Sequence, residues 1–246
     1  MKETIYTIPV NEAFAESGRT DCPFCFMRRK LNENAIEFVM GPSYMEDDVR
    51  METNKIGFCA RHTEEMYLRP NRLGLALMTH THLIKINADL GSLLKKIKPN
   101  PKKSLFGGTK NESATSEVLS YLKKIEDSCY ICSRVEDTFS RYIDTYFFLW
   151  NKDGEIKKMT ESSGGFCLKH FRDLLETGEK KLSASEYDKF LQTIVPLQLK
   201  ELKTLEDDLD WFTRKFDYRY VNEPWKNSKD ALVRGIKKIS SVTVSE

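Results

Sequence analysis

Two copies of one cysteine–histidine pattern constrain this chain more than any other feature. The first runs Cys22-Pro23-Phe24-Cys25, then Gly57-Phe58-Cys59-Ala60-Arg61-His62. The second runs Cys129-Tyr130-Ile131-Cys132, then Gly165-Phe166-Cys167-Leu168-Lys169-His170. All six cysteines fall in these segments, with two of the four histidines. Cys22 and Cys129 are 107 positions apart, and Cys59 and Cys167 are 108 apart. Such regularity predicts two tetrahedral Cys3His sites in two related structural repeats. The parallel offsets predict closure within each repeat. Cys22, Cys25, Cys59 and His62 would surround one ion, and Cys129, Cys132, Cys167 and His170 the other.

The spacing suits metal chemistry. A CxxC pair sets two thiolates about one helical turn apart, and the i,i+3 step from Cys59 to His62 puts both groups on one helix face. Each half-site falls at the start of an expected helix, where the dipole favours thiolate. The glycine before each Phe-Cys suits a tight turn. Arg28, Arg61, Arg134 and Lys169 are near in sequence and could offset a site charge of about −1. Ligand count and spacing favour structural zinc, two ions per chain, and four protein ligands leave no open position for catalysis. Iron–sulfur clusters are one alternative, although the compact CxxCxxC run is absent. Redox pairs or disulfides are another, although neither pair sits in a βαβ context.

A length of 246 residues allows one large domain or two of ordinary size. The formal net charge of +2 makes no global case for nucleic acid or membrane binding. Six thiolates and two zinc ions would bring it near zero. Met1 to Val10 lacks the apolar core of a signal peptide, and no run approaches a membrane span. A cytosolic protein is expected, and in a reducing compartment CxxC cysteines are more often ligands or redox groups than disulfides.

Along the chain, Thr4 to Pro9 reads as a short extended piece and Asn11 to Glu16 as a helical turn. A helix is expected over Pro23–Met40, from Leu31, Ala35 and Phe38, with Gly41-Pro42 as its stop. The charged stretch 43–54 reads as a short helix or ordered loop. Asn71 caps a long helix to Ile97, with stripes of Leu83, Ile86, Leu90, Leu93 and Ile97 and of Leu73, Leu77 and Ile84. Residues 98–114, rich in Pro, Gly, Ser and Lys, read as a linker. The second half repeats the order: helices over Ser116–Glu126 and Cys129–Trp150, a turn at Asp153-Gly154, a short helix to Glu176, and a long helix from Ser183 or Ser185 to Phe216. Pro196 should kink or break that last helix. Sustained two-residue alternation is absent, so the fold class is all-α. The expected divisions are a first Cys3His helical repeat (1–97), the linker (98–114), a second repeat (115–216), and a C-terminal arm and helix (217–246).

The stretches CPFC, SYMEDDVRMETNKIGFCARH, NRLGLALMTHTHL and KFDYRYVNEPWKNSKDAL resemble a family of uncharacterised bacterial proteins of unknown function. The resemblance implies a cytosolic bacterial protein and little more, since the family's name carries no activity. Outside the ligands, His80 and His82 lie two apart on the long helix and cannot share one ion. His80 falls on the Leu73, Leu77 and Ile84 strip, which reads as a hydrogen-bonded core histidine. The acidic run Glu46, Asp47, Asp48 reads as a solvated helix start.

Three functions are compatible with these features. The leading one is a non-enzymatic, zinc-binding helical protein that binds a protein partner or small molecule. The second is an enzyme or sensor whose polar pocket between the repeats is lined by Arg50, Arg72, His80 and Tyr218. The third is a nucleic-acid-binding regulator, for which only the Tyr218, Arg219, Tyr220, Trp225, Lys226 mix speaks. Residues 217–226 are expected to fold back near the start of the long helix, beside Arg72 and His80.

Overall fold

The computed structural model describes residues 5–18, 20–97, 110–152 and 154–242. Among them every regular element is a helix, which agrees with the all-α reading. The chain divides into two compact units. Residues 31–137 form one, and residues 1–30 with 138–246 form the other. The chain crosses between them inside two helices, α2 (Pro23–Met40) and α7 (Tyr130–Lys152), after α1 (Thr7–Glu16) has opened the discontinuous unit.

The continuous unit holds the second half of α2, a 3-10 turn (Pro42–Met45), α3 (Asp47–Ile56), α4 (Ala60–Tyr67), α5 (Arg72–Leu94), α6 (Lys110–Asp127) and the start of α7. Its core gathers Ala35, Ile36, Val39, Met66, Leu75, Met78, Ile131 and Val135. Asn71 caps α5 as its side chain predicts, accepting from the Gly74 amide at 2.9 Å. Its amide nitrogen also donates to the Met40 carbonyl at 2.7 Å, which joins the end of α2 to the start of α5. Of the expected linker, residues 98–109 lie outside the described residues, while Lys110 to Ala114 belong to α6. The helix starts earlier than Ser116 because Ala114 and Val118, one turn apart, are both buried.

The discontinuous unit holds α1, the start of α2, most of α7, α8 (Gly154–Ser162), α9 (Leu168–Lys181), α10 (Ala184–Arg214) and α11 (Ala231–Ser240). Asp153 of the expected turn lies outside the described residues. The extended piece at Thr4 to Pro9 is corrected, since α1 begins at Thr7. Pro9 sits in the first turn, where its missing N–H costs nothing, and Val10, Ala13 and Phe14 bury one face. Aromatic rings fill this core. Phe14 stacks on Tyr146 with centroids 5.5 Å apart, and Phe24, Phe139, Phe147, Trp150, Phe166 and Phe190 are all buried. Pro196 does not end α10, which runs unbroken past it; the ring itself is exposed, while Ile194, Leu197 and Gln198 near it in sequence are buried. That burial outweighs the one lost backbone hydrogen bond.

Candidate metal centres

All four half-sites are built by the same local rule. Each places its first ligand immediately before a helix and its second three residues on, in the first turn. The pairs are Cys22 and Cys25 on α2, Cys59 and His62 on α4, Cys129 and Cys132 on α7, and Cys167 and His170 on α9. In each, the backbone carbonyl of the first ligand accepts the first helical hydrogen bond, from Phe26, Thr63, Ser133 and Phe171 respectively, at 2.8–3.0 Å. Both side chains of a pair therefore project from one helix start, beside amides with no partner inside the helix. Some of those amides donate to sulfur: His170 N–H to Cys167 Sγ at 3.4 Å, and Cys132 N–H to Cys129 Sγ at 3.5 Å.

The pairing differs from the expected one. Cys22 and Cys25 meet Cys167 and His170, while Cys59 and His62 meet Cys129 and Cys132. The first CxxC is joined by the second CxxH and the second CxxC by the first CxxH, which overturns the expected pairing of each CxxC with the CxxH that follows it. The reason is topological. The α2 and α7 starts lie in different compact units from the CxxH segments that follow them in sequence. The first set lies wholly in the discontinuous unit and the second wholly in the continuous unit. In sequence, the second set is nested inside the loop closed by the first.

Each set has the size of a single ion's shell, its four donor atoms all lying within 4.8 Å of one another. In the first, His170 Nδ1 lies 3.6, 3.3 and 3.2 Å from the sulfurs of Cys22, Cys25 and Cys167, and Cys25 Sγ is 3.5 Å from Cys167 Sγ. In the second, His62 Nδ1 lies 3.3, 3.2 and 3.3 Å from the sulfurs of Cys59, Cys129 and Cys132, and Cys59 Sγ is 3.9 Å from Cys132 Sγ. Tetrahedral bonds of about 2.3 Å to sulfur and 2.05 Å to nitrogen give edges of about 3.8 and 3.6 Å. The donors fit a four-coordinate metal ion, and the two Cys3His groups could each hold one.

The electrostatics agree. Burial pushes the Cys22 thiol up to about 12, with Cys167 adding to the effect. Contacts with Cys167 and Cys22 raise Cys25, while bonds from the Cys22 and Cys25 thiols hold Cys167 far down. In the second set burial pushes Cys132 up to about 12, helped by Cys129. Burial opposes ionisation of Cys59, but the His62 amide and the neighbouring thiols win and lower it. Three adjacent sulfurs can all ionise only around a cation.

The surroundings also orient the ligands. His62 Nε2–H donates to Asn32 Oδ1 at 2.6 Å, which leaves Nδ1 free to ligate. The Asn32 amide is set by its other end, which donates to Glu65 Oε2 at 2.8 Å. His170 Nε2 is buried with no hydrogen-bond partner, among the rings of Phe24 and Phe139. Gln198 clamps the Phe166 backbone with two bonds of 2.9 Å, fixing the turn before Cys167. Ser241 Oγ donates to Cys167 Sγ at 3.1 Å, and Lys238 donates to the Gly164 carbonyl. Burial lowers the Lys238 ammonium, and the charge of Cys22 opposes that. Asp21, Glu201, Arg234 and Lys238 line a cleft beside Cys22 and Cys167.

Sequence proximity did not identify these supporting groups. Of the expected charge partners, Arg28 lies over the Phe139 ring and Arg134 over Phe38, while Arg61 Nη2 lies 2.8 Å from His62 Nε2. Asn32 left one trace, because it heads the apolar face Ala35, Ile36, Val39 at i, i+3, i+4 and i+7. Gln198, Lys238 and Ser241 left none.

The remaining candidate residues have local roles. Arg50 Nη2 donates to Thr81 Oγ1 at 3.4 Å, and the Arg72 guanidinium lies 3.7 Å from the Tyr67 ring centre. His80 is exposed, which corrects its placement on a buried strip. The opposite helix face carries the hydrogen-bonded histidine instead, with the half-buried His82 donating from Nδ1 to the Asn54 carbonyl at 2.7 Å. Tyr218 is 86% exposed. Residues 217–226 pack on the end of α10. Trp211 Nε1 donates to the Pro224 carbonyl at 3.0 Å, and Trp225 lies 5.9 Å from Phe212. No helix among the described residues is long and apolar enough to cross a membrane.

No curated protein and no solved structure matches the chain. A family model described as a family of unknown function (DUF6062) matches residues 1–246, and the chain belongs to that family.

Proposed function

We propose that each Cys3His set holds one zinc ion and that the chain is a zinc-stapled helical scaffold. It binds a protein or small-molecule partner and carries out no catalysis. The observation that carries this reading is the convergence of four donors per set within single-ion distance, from segments far apart in sequence. Four protein ligands complete a tetrahedron and leave no position for substrate or water. An iron–sulfur cluster spreads its protein ligands over separate irons, so the tight donor spacing favours one ion per set. Six thiolates kept reduced fit a cytosolic setting. Leu83, Ile84 and Leu94 on α5 and Leu119 and Leu122 on α6 are exposed, which supports an apolar partner surface.

Metal analysis of the purified chain tests the reading. Two zinc ions per chain are expected, with chelation loosening or unfolding the protein, because metal binding and folding are coupled. Iron with inorganic sulfide, or a folded metal-free protein with intact thiols, overturns it.

A further inference from the structure

The two sets are built alike but protected differently. In the first, Cys22 and Cys167 are 6% and 1% exposed, Cys25 is half-buried, and Ser241, the residue after α11, places its Oγ on the Cys167 sulfur. In the second, Cys132 is exposed at the surface of its unit and Cys59 is half-buried. Their sulfurs are 3.9 Å apart, close enough to bond after a small rotation of either side chain. Cys129 is buried and its sulfur already accepts the Cys132 amide. A metal-bound thiolate remains a nucleophile, and access then decides which sulfur reacts first.

We propose that the Cys59, His62, Cys129, Cys132 centre is a peroxide-responsive site, with Cys132 as the sulfur attacked and Cys59 as its resolving partner. The proposal rests on zinc occupying both centres. The Cys132 thiolate attacks one oxygen of hydrogen peroxide. An S–O bond forms, the O–O bond breaks, and hydroxide leaves; sulfur is oxidised by two electrons and peroxide reduced by two. The Cys59 thiolate then attacks the sulfenic sulfur of Cys132, forming the disulfide and expelling a second hydroxide. Solvent protonates both hydroxides. The ion has lost two of its three thiolates and departs as Zn²⁺. The other centre keeps its ion, because two of its sulfurs are buried and the third, Cys25, is half-buried, so it holds no exposed cysteine like Cys132.

The test titrates the two-zinc protein with hydrogen peroxide while a chromogenic chelator reports free zinc and peptide mass spectrometry maps the cysteines. One zinc per chain should leave about tenfold faster than the second, with a Cys59–Cys132 disulfide. Dithiothreitol with added zinc should restore the starting state. Cys132→His keeps four donors at the centre while removing the exposed thiolate. It should retain two zinc ions and release neither in the fast phase. Equal loss from both centres, a Cys129–Cys132 link, or fast release from the two-zinc C132H variant overturns the proposal. Fewer than two zinc ions before peroxide is added removes the zinc reading, and this proposal with it.

Discussion

Cys25 and Cys167 are 142 positions apart in sequence, yet their sulfurs lie 3.5 Å apart. That contact is the exchange of half-sites in its simplest form. Metal ions at the two sets would close loops of different size, 145 residues between Cys25 and His170 and 67 between His62 and Cys129. Loop-closure entropy grows slowly, so this roughly twofold difference is worth only about 0.6 kcal/mol. Both links should therefore stabilise the chain to a similar degree.

Exchange makes a sharp prediction for pairs of ligand substitutions. Cys25→Ala and Cys167→Ala should each remove one zinc, and the double variant should still carry the other. Cys25→Ala with Cys59→Ala should carry none. Zinc per chain by elemental analysis distinguishes the two patterns. Within-repeat closure would give the reverse result for the two doubles.

Asn32 should matter at one centre alone. It fixes the His62 tautomer through a 2.6 Å bond, and loss of such an outer partner typically weakens a metal site about 10- to 100-fold. Asn32→Ala should shift one of two zinc affinities by that amount in a chelator competition and leave the other in place. An unchanged pair of affinities would show that the imidazole is held by packing.

What could be read from the sequence was what is local. Helix existence follows from stripes of apolar residues three and four apart, and α2 and α5 begin where Pro23 and Asn71 place them. The ligand residues were equally legible, because i,i+3 spacing is a local constraint. Which half-sites meet is not local. Parallel offsets are compatible with either pairing, and only the path of α2 and α7 between the units selects one. His80 and His82 show the same limit. Helical phase separates them onto different faces, but only the packing of α3 beside α5 decides which histidine finds a hydrogen-bond partner there.

The two turn glycines should differ in their tolerance of a side chain. Gly57 and Gly165 both have φ +70°, where an L-residue is strained by about 1–3 kcal/mol whatever the space. A Cβ at Gly57 would also overlap the His82 ring, whereas at Gly165 it would meet Gln198 Oε1 at 3.1 Å. Gly57→Ala should therefore lower the urea midpoint more than Gly165→Ala, and both should lower it below wild type. Equal or reversed effects would mean that the His82 ring moves aside easily.

Acid should weaken the fold in a definable window. Burial pushes the His62 imidazole down to about 4, Arg61 adds to the push, and Glu65 opposes it. In the unfolded chain the group titrates near 6.5, its ordinary value. Between those values the unfolded chain takes up a proton that the folded chain refuses. This group's contribution is therefore constant above about 6.5 and falls as pH drops toward about 4. A metal on Nδ1 deepens the depression and keeps the sign. Urea midpoints should decline from roughly pH 7 through pH 5.5 to pH 4.5, and equal midpoints across that range would refute the assignment.

The C-terminal arm hangs on one ammonium. Lys215 is 6% exposed, and its Nζ donates to the carbonyls of Tyr220, Val221 and Glu223, beneath the Trp225 ring at 5.3 Å. The aromatic stretch after α10 turns back around one cation at the helix end that binds three carbonyls, of which that of Tyr220 also accepts the Glu223 amide at 3.1 Å. Lys215→Met keeps most of the apolar stem and removes all three bonds. It should destabilise the 217–226 segment by about 2–3 kcal/mol, since charge-assisted bonds to buried acceptors are costly to lose. Hydrogen exchange should rise across 217–226, and zinc per chain should stay at the wild-type value, because none of these contacts reaches a ligand. Unchanged protection in the arm would assign its order to the Trp211 and Trp225 contacts, and a loss of zinc would tie the arm to the metal centre.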